Sequence, residues 1–319
     1  MLRTLNTTIA LTGVGLHGGE HVDLTIAPAA FGSGIVFVRS DLIEAGAEAA
    51  TALIPARYDL VTDTRLCTRL TNEHGTSIGT VEHLMAALAG CGVTDVEITV
   101  SAPEVPIMDG SSEPFVHALI EAGFADSDRA CPAIRILKPV RVELDGKIAE
   151  LRPADRFEID FRIEFDDDAI GTQEECLEMV NGAFVRHLSD CRTFGKLKEV
   201  EYMRSLGLAR GGSLQNAIVI DEGRILNPEG LRRPTEFVRH KILDAVGDLA
   251  LAGAPIIGRY CGVKSGHDMT NRLLHALFDQ PGAWTWDTLE EGQGMGGVMT
   301  APARDRVASN LSHAEAVAV

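Results

Sequence analysis

Residues 80–100 read TVEHLMAALAGCGVTDVEITV. Val81, Leu84, Met85 and Leu88 fall at i, i+3, i+4 and i+7, which predicts a helix from about Thr80 with Gly90 as its stop. VTDVEITV (93–100) then alternates as a strand, and SEPFVHALIEAG (112–123), with Pro114 near its start, reads as a second helix. The same order returns in the second half: TEFVRHKILDAVGDLALAG (235–253), a strand ending near Val263, and a helix repeating His-Ala-Leu at 275–277. Each half opens with strands, Val22, Leu24, Ile26 and Ile35–Val38 in the first, VRVELDGKIAELRP and FEIDFRIEF in the second, where Asp145-Gly146 marks a hairpin turn. An α+β protein of two tandem domains with related topology is predicted, spanning 1–128 and 129–280. Residues 281–319 lose periodicity and gain glycine, so they are expected to form a mobile tail without assigned chemistry.

A chain of 319 residues with 45% apolar and 24% charged residues has material for two buried cores. Its 29 Lys plus Arg against 46 Asp plus Glu leave a net charge of −17, which argues against a nucleic-acid partner. MLRTLN at the start lacks the apolar run of a secretory signal, and no eighteen-residue apolar stretch occurs, so a cytosolic protein without a transmembrane segment is expected. Six cysteines (67, 91, 131, 176, 191, 261) show no CxxC spacing, against both a disulfide framework and a thiolate zinc site. A bound metal would have to draw on histidines and carboxylates.

Gly13-Val14-Gly15-Leu16-His17-Gly18 spells a dinucleotide fingerprint, but the alternating strand His21–Ile26 follows it where a helix would be required. The glycines are better read as a tight hairpin needing positive φ. In the 235–253 helix, Val238, Ile242, Ala245, Val246 and Leu249 form the apolar stripe, leaving His240, Asp244 and Asp248 at i, i+4, i+8 on another face. An imidazole and a carboxylate at that spacing can share a metal, and a solvated or ion-paired stripe would look the same. Glu82 and His83 interrupt the apolar positions of the first helix and diverge by about 100°, so one could ligate while the other serves as base. A dipole-favoured Glu beside a packed His is the competing reading. His267, in Lys264-Ser265-Gly266-His267, could lean over such a site as acid or oxyanion donor, with Asp248 as its partner.

These segments resemble the zinc-dependent UDP-3-O-acyl-N-acetylglucosamine deacetylases of lipid A biosynthesis. The resemblance rests on GVGLHGGE (13–20), TVEHLMAALAG (80–90), APEVPIMDGSSEPF (102–115), RTFG (192–195), GGS (211–213), NPEGLRRPTEFVRHKILDAVGDL (227–249) and KSGH (264–267). It implies helical layers facing each other around the active site, and zinc on His83, His240 and Asp244. It further implies Glu82 as general base, Thr193 as oxyanion donor, and His267, oriented by Asp248, as electrostatic or acid partner. Lys241 would lie near the substrate's phosphates, Phe194 beside the sugar, and Phe161 and Lys264 at the nucleotide. Leu16, Val200, Ala209, Ser213 and Val219 would line an apolar passage for the acyl chain. Cys191 brings a thiol near the metal, where it could compete as an adventitious ligand.

The expected function is hydrolysis of the acetamide of an acylated UDP-amino sugar, with zinc as cofactor; ferrous iron suits the same donors. A metal-free lyase or epimerase using Glu82 and His267 is one alternative, and a non-catalytic binding protein for the acylated sugar nucleotide is another. Oligomeric state and acyl-chain length are open at this level, and nothing demands more than a monomer.

Overall fold

The computed structural model describes residues 1–290 and 292–296. In the first half, strands Ile9–Val14, His21–Pro28, Val96–Val100, Ile35–Arg39 and Leu53–Pro55 form one sheet in that order. All neighbours are antiparallel except Val96–Val100 with Ile35–Arg39. The second half repeats this with Val140–Leu144, Lys147–Arg152, Ile256–Val263, Phe157–Glu164 and Thr172–Glu178, where among these five the parallel pair again lies between the third and fourth strands, and Ile256–Val263 also pairs in parallel with Pro132–Ile136. An extra antiparallel pair flanks each unit, Arg3–Leu5 with Phe124–Asp126 and Pro132–Ile136 with Trp284–Thr288. Asp145 and Gly146, both at positive φ, close the hairpin between Leu144 and Lys147 as Asp-Gly pairs do.

Alternation decides which strand face is inside: Val22, Leu24 and Ile26 are buried while the residues between them are not. The helices Glu82–Gly90 and Glu113–Ala122 belong to the first half, Glu236–Ala250 and His267–Phe278 to the second. Glu82–Gly90 and Glu236–Ala250 pack against each other more extensively than any other helix pair. Their backbones nearly touch, because a Cβ on Gly247 would sit 2.0 Å from the Glu82 carbonyl oxygen. The polar face of the Glu236–Ala250 helix is therefore covered by the other half, and His240, Asp244 and Asp248 are all buried.

Three details differ from the sequence reading. Trp284–Thr288 is a paired strand, and Ala283 before it is fully buried, so the second sheet extends past residue 280. The edge position of this strand, with only Pro132–Ile136 beside it, explains why its alternation is faint. Of the expected mobile tail, residues 291 and 297–319 lie outside the described residues. Gly13, Gly15 and Gly18 lack positive φ; in this loop only Gly19 has it. Gly13 and Gly15 are required by close approach, since a Cβ would come within 2.8 Å of Pro106 and 2.7 Å of Glu104 Oε2 respectively. Gly90 ends its helix but is left to Gly92, at φ +71, to reverse the chain; Gly90 itself gives room to the Phe184 ring.

Candidate metal centre

His83, His240 and Asp244 each offer one donor atom, and these lie within 4.8 Å of one another. Asp244 Oδ1 is 3.3 Å from His240 Nε2 and 3.5 Å from His83 Nε2. Ligands about 2 Å from a tetrahedral ion stand roughly 3.3 Å apart, so the two separations from Asp244 match the edges such an ion would impose. His240 Nδ1 meets the Cys191 carbonyl at 3.1 Å, which makes Nδ1 the donor and leaves the Nε2 lone pair facing the centre. Burial, only partly opposed by Asp244, depresses His240 to about 3, so it is neutral and able to ligate. Burial works against ionisation of Asp244, but the groups that face it, the Lys241 ammonium among them, override that and hold the carboxyl well below its usual range. Lys241 Nζ binds Asp244 Oδ2 at 2.8 Å, fixing the rotamer that points Oδ1 inward. The donor set thus fits a divalent cation such as zinc, or iron.

A second group lies beside it. His267 Nδ1 is 2.8 Å from Asp248 Oδ2, and its Nε2 is 3.8 Å from Glu82 Oε1. Burial opposes the His267 charge, but Asp248 and Glu82 raise its pKa to about 10, so it carries a proton at neutral pH. Burial pushes the Glu82 carboxyl up, with His267 pulling against it, the direction suited to a base working near neutrality. Thr68, which the sequence reading missed, joins both acids: its N–H donates to Glu82 Oε2 at 3.0 Å and its hydroxyl to Asp248 Oδ1 at 2.6 Å.

Around this centre the other expected residues separate. The Phe194 ring lies 6.2 Å from the His240 ring, with Lys241 Nζ 5.3 Å above it. Thr193 is held through its main chain, its N–H on Gly110 O and its carbonyl accepting from Ile218 N, both at 2.8 Å. Leu16 meets the Ala209–Gly212 turn, where Gly211 N donates to Leu16 O, and Ser213 N is capped by Asn216. Val200 packs near Gly195, whose strand pairs in register with Val219. Lys264 is exposed on the turn leading to His267 and pairs with Glu164. Phe161 is a correction: at 1% exposure it lies in the sheet core against Tyr260, with no face a nucleotide could reach. Cys191 is another, for its thiol contacts the His187 carbonyl and Asp190, and what it presents to the centre is its carbonyl.

A buried cluster of two imidazoles and a carboxylate that could hold a cation, with Glu82 and His267 alongside, is the kind of donor set found in hydrolases that work through a bound metal. The family model described as LpxC, UDP-3-O-acyl N-acetylglycosamine deacetylase, matches residues 2–279, and the chain belongs to that family. It is 48% identical over 304 residues to the UDP-3-O-acyl-N-acetylglucosamine deacetylase of Haemophilus influenzae (strain PittEE), covering 95% of this chain and 98% of the relative. The Vibrio vulnificus (strain YJ016) protein of the same name is 49% identical over 294 residues, 92% of this chain and 94% of its own. No helix among the described residues is long and apolar enough to cross a membrane.

Proposed function

We propose that this chain hydrolyses the acetamide of UDP-3-O-acyl-N-acetylglucosamine, releasing acetate and the free amine that lipid A biosynthesis goes on to use. The observation that carries the reading is the convergence of His83, His240 and Asp244 beside Glu82 in a chain of this family. His83, His240 and Asp244 would hold zinc, which when bound lowers the pKa of water and polarises a carbonyl. Glu82 takes a proton from the attacking water as its oxygen adds to the acetamide carbon. Thr193 and the protonated His267 face the negative charge that develops on the carbonyl oxygen. The C–N bond then breaks and the nitrogen leaves with a proton, for which His267, oriented by Asp248, is the group already charged. Lys241 and Phe194 take the phosphates and the sugar, Lys264 the nucleotide, and Leu16, Val200, Ala209, Ser213 and Val219 the acyl chain. The two sheet-and-helix units are proposed as domains divided near residue 128, and the cytoplasm as the compartment.

Acetate release from the acylated UDP-sugar, measured with metal analysis of the purified protein, tests this. Chelation abolishes activity and zinc restores it; activity indifferent to chelation would favour metal-free acid–base chemistry through Glu82 and His267. Substrate binding without acetate release would make the chain a binding protein. Glu82→Gln is expected to keep its metal and lose roughly 10² to 10⁴ in turnover, the scale of a general base.

A further inference from the structure

Arg192 heads the largest fully buried side chains, and it stands between two residues of the site. Its Nε donates to Glu236 Oε1 at 2.9 Å and its Nη2 to Glu236 Oε2 at 3.3 Å. The remaining guanidinium contacts are Nη1 to Glu229 Oε1 at 2.6 Å and Nη2 to the Gly230 carbonyl at 2.7 Å. Glu236, fully buried, also accepts the backbone N–H of Arg192 at 3.0 Å and of Arg232 at 2.6 Å. One carboxylate therefore holds both the side chain and the main chain of Arg192.

The consequence lies on either side. The Cys191 carbonyl is the partner of His240 Nδ1, and Thr193 follows directly, its main chain pinned to Gly110 and Ile218. Glu236 opens the helix that carries His240 one turn later, so the same carboxylate ties the start of that helix to the loop on which His240 leans. Stability alone does not explain such a pair, because replacing a buried ion pair with apolar groups of similar volume is often neutral or favourable. What apolar groups cannot reproduce is the forked, directional hold on the peptide.

We propose that the buried Arg192–Glu236 pair is a positioning device that sets the Cys191 carbonyl against His240 and the Thr193 main chain beside it, so that metal affinity and turnover both depend on it. This rests on the reading of His240 as ligand and Thr193 as oxyanion donor. The test uses the full chain stripped of metal, with zinc affinity read by competition against a chromophoric chelator, thermal unfolding, and kcat and KM on the reloaded enzyme. Arg192→Lys keeps the charge but not the fork; zinc affinity is expected to weaken about 10- to 100-fold, the usual effect of losing a partner behind a metal ligand, with kcat reduced and KM nearly unchanged. The double variant Arg192→Met with Glu236→Met removes both charges but leaves the Arg192 and Arg232 N–H groups without their acceptor, so a modest fall in unfolding temperature is expected, while zinc affinity and kcat stay low. A double variant that folds and keeps parental zinc affinity and kcat overturns the proposal, and it carries the test alone if the lysine variant does not fold. His240→Ala separates the two readings: parental zinc affinity there would overturn the ligand assignment itself, whereas loss of zinc there with parental affinity in the double variant overturns only the lock.

Discussion

Thr68 is the smallest group with the widest reach in the site, since its N–H and hydroxyl hold the two acids that act on opposite sides of His267. Thr68→Val removes the hydroxyl donor and keeps the shape. Turnover is expected to fall about tenfold, the scale of one buried hydrogen bond near 1.4 kcal/mol, with metal content unchanged and Thr68→Ser close to the parent. His267 gives a pH prediction. Its pKa stands at about 10 when folded, burial opposing and Asp248 and Glu82 prevailing, against 6.5 for a free imidazole. A raised pKa stabilises the fold fully below about pH 6.5 and loses that contribution as pH climbs through about 10. The urea midpoint of the metal-free protein should decline across that window, and His267→Ala should flatten the decline; a parallel pH profile in the variant would show that His267 is not the group titrating.

Between elements, the decisive contact is the crossing of Glu82–Gly90 over Glu236–Ala250 at Gly247. Gly247→Ala places a methyl against backbone, which cannot swing aside, so the helices must separate. A loss of about 1–3 kcal/mol in unfolding free energy is expected from such overpacking, together with weaker zinc binding because His83 moves away from Asp244. Both helices were legible from their 3.6-residue periodicity, and so was the shared face of His240 and Asp244. Their burial was not, because a polar stripe covered by a partner helix has the same sequence as one covered by water. Thr68, Glu104 and the Cys191 carbonyl carried no signal at all. Thr68 reaches an acid 180 residues away, and Glu104 works by accepting the N–H groups of His17 and Gly18 and the hydroxyl of Thr80, pinning the Leu16 loop to the start of the first helix. At Phe161 the alternation in FEIDFRIEF already marked an inward position, and the family resemblance pointed the other way.

At the scale of the molecule, two copies of one topology build a site that neither contains, and the halves must be held in register for Glu82 and His83 to meet His240 and Asp244. The turn at Met108–Gly110 is one place where this register is set. Met108 and Gly110 both have positive φ, Gly110 O accepts the Thr193 N–H, and Arg232 from the second half pairs with Asp109 at 2.9 Å. A Cβ on Gly110 would lie 2.0 Å from the Asn216 carbonyl oxygen, so no side chain fits without pushing the Thr193 segment away from the first half. His83, His240 and Asp244 come from other elements, and the Cys191 carbonyl that meets His240 stays tied through Arg192 to Glu236, so the donor set is expected to move less than Thr193. Gly110→Ala is therefore expected to retain zinc near the parental stoichiometry while kcat falls by about 10²-fold or more, the scale of losing an oxyanion donor. Zinc content measured with single-turnover acetate release checks this: metal lost in step with activity would mean that the turn supports the whole centre, and metal retained with the chemical step slowed would place its effect at Thr193.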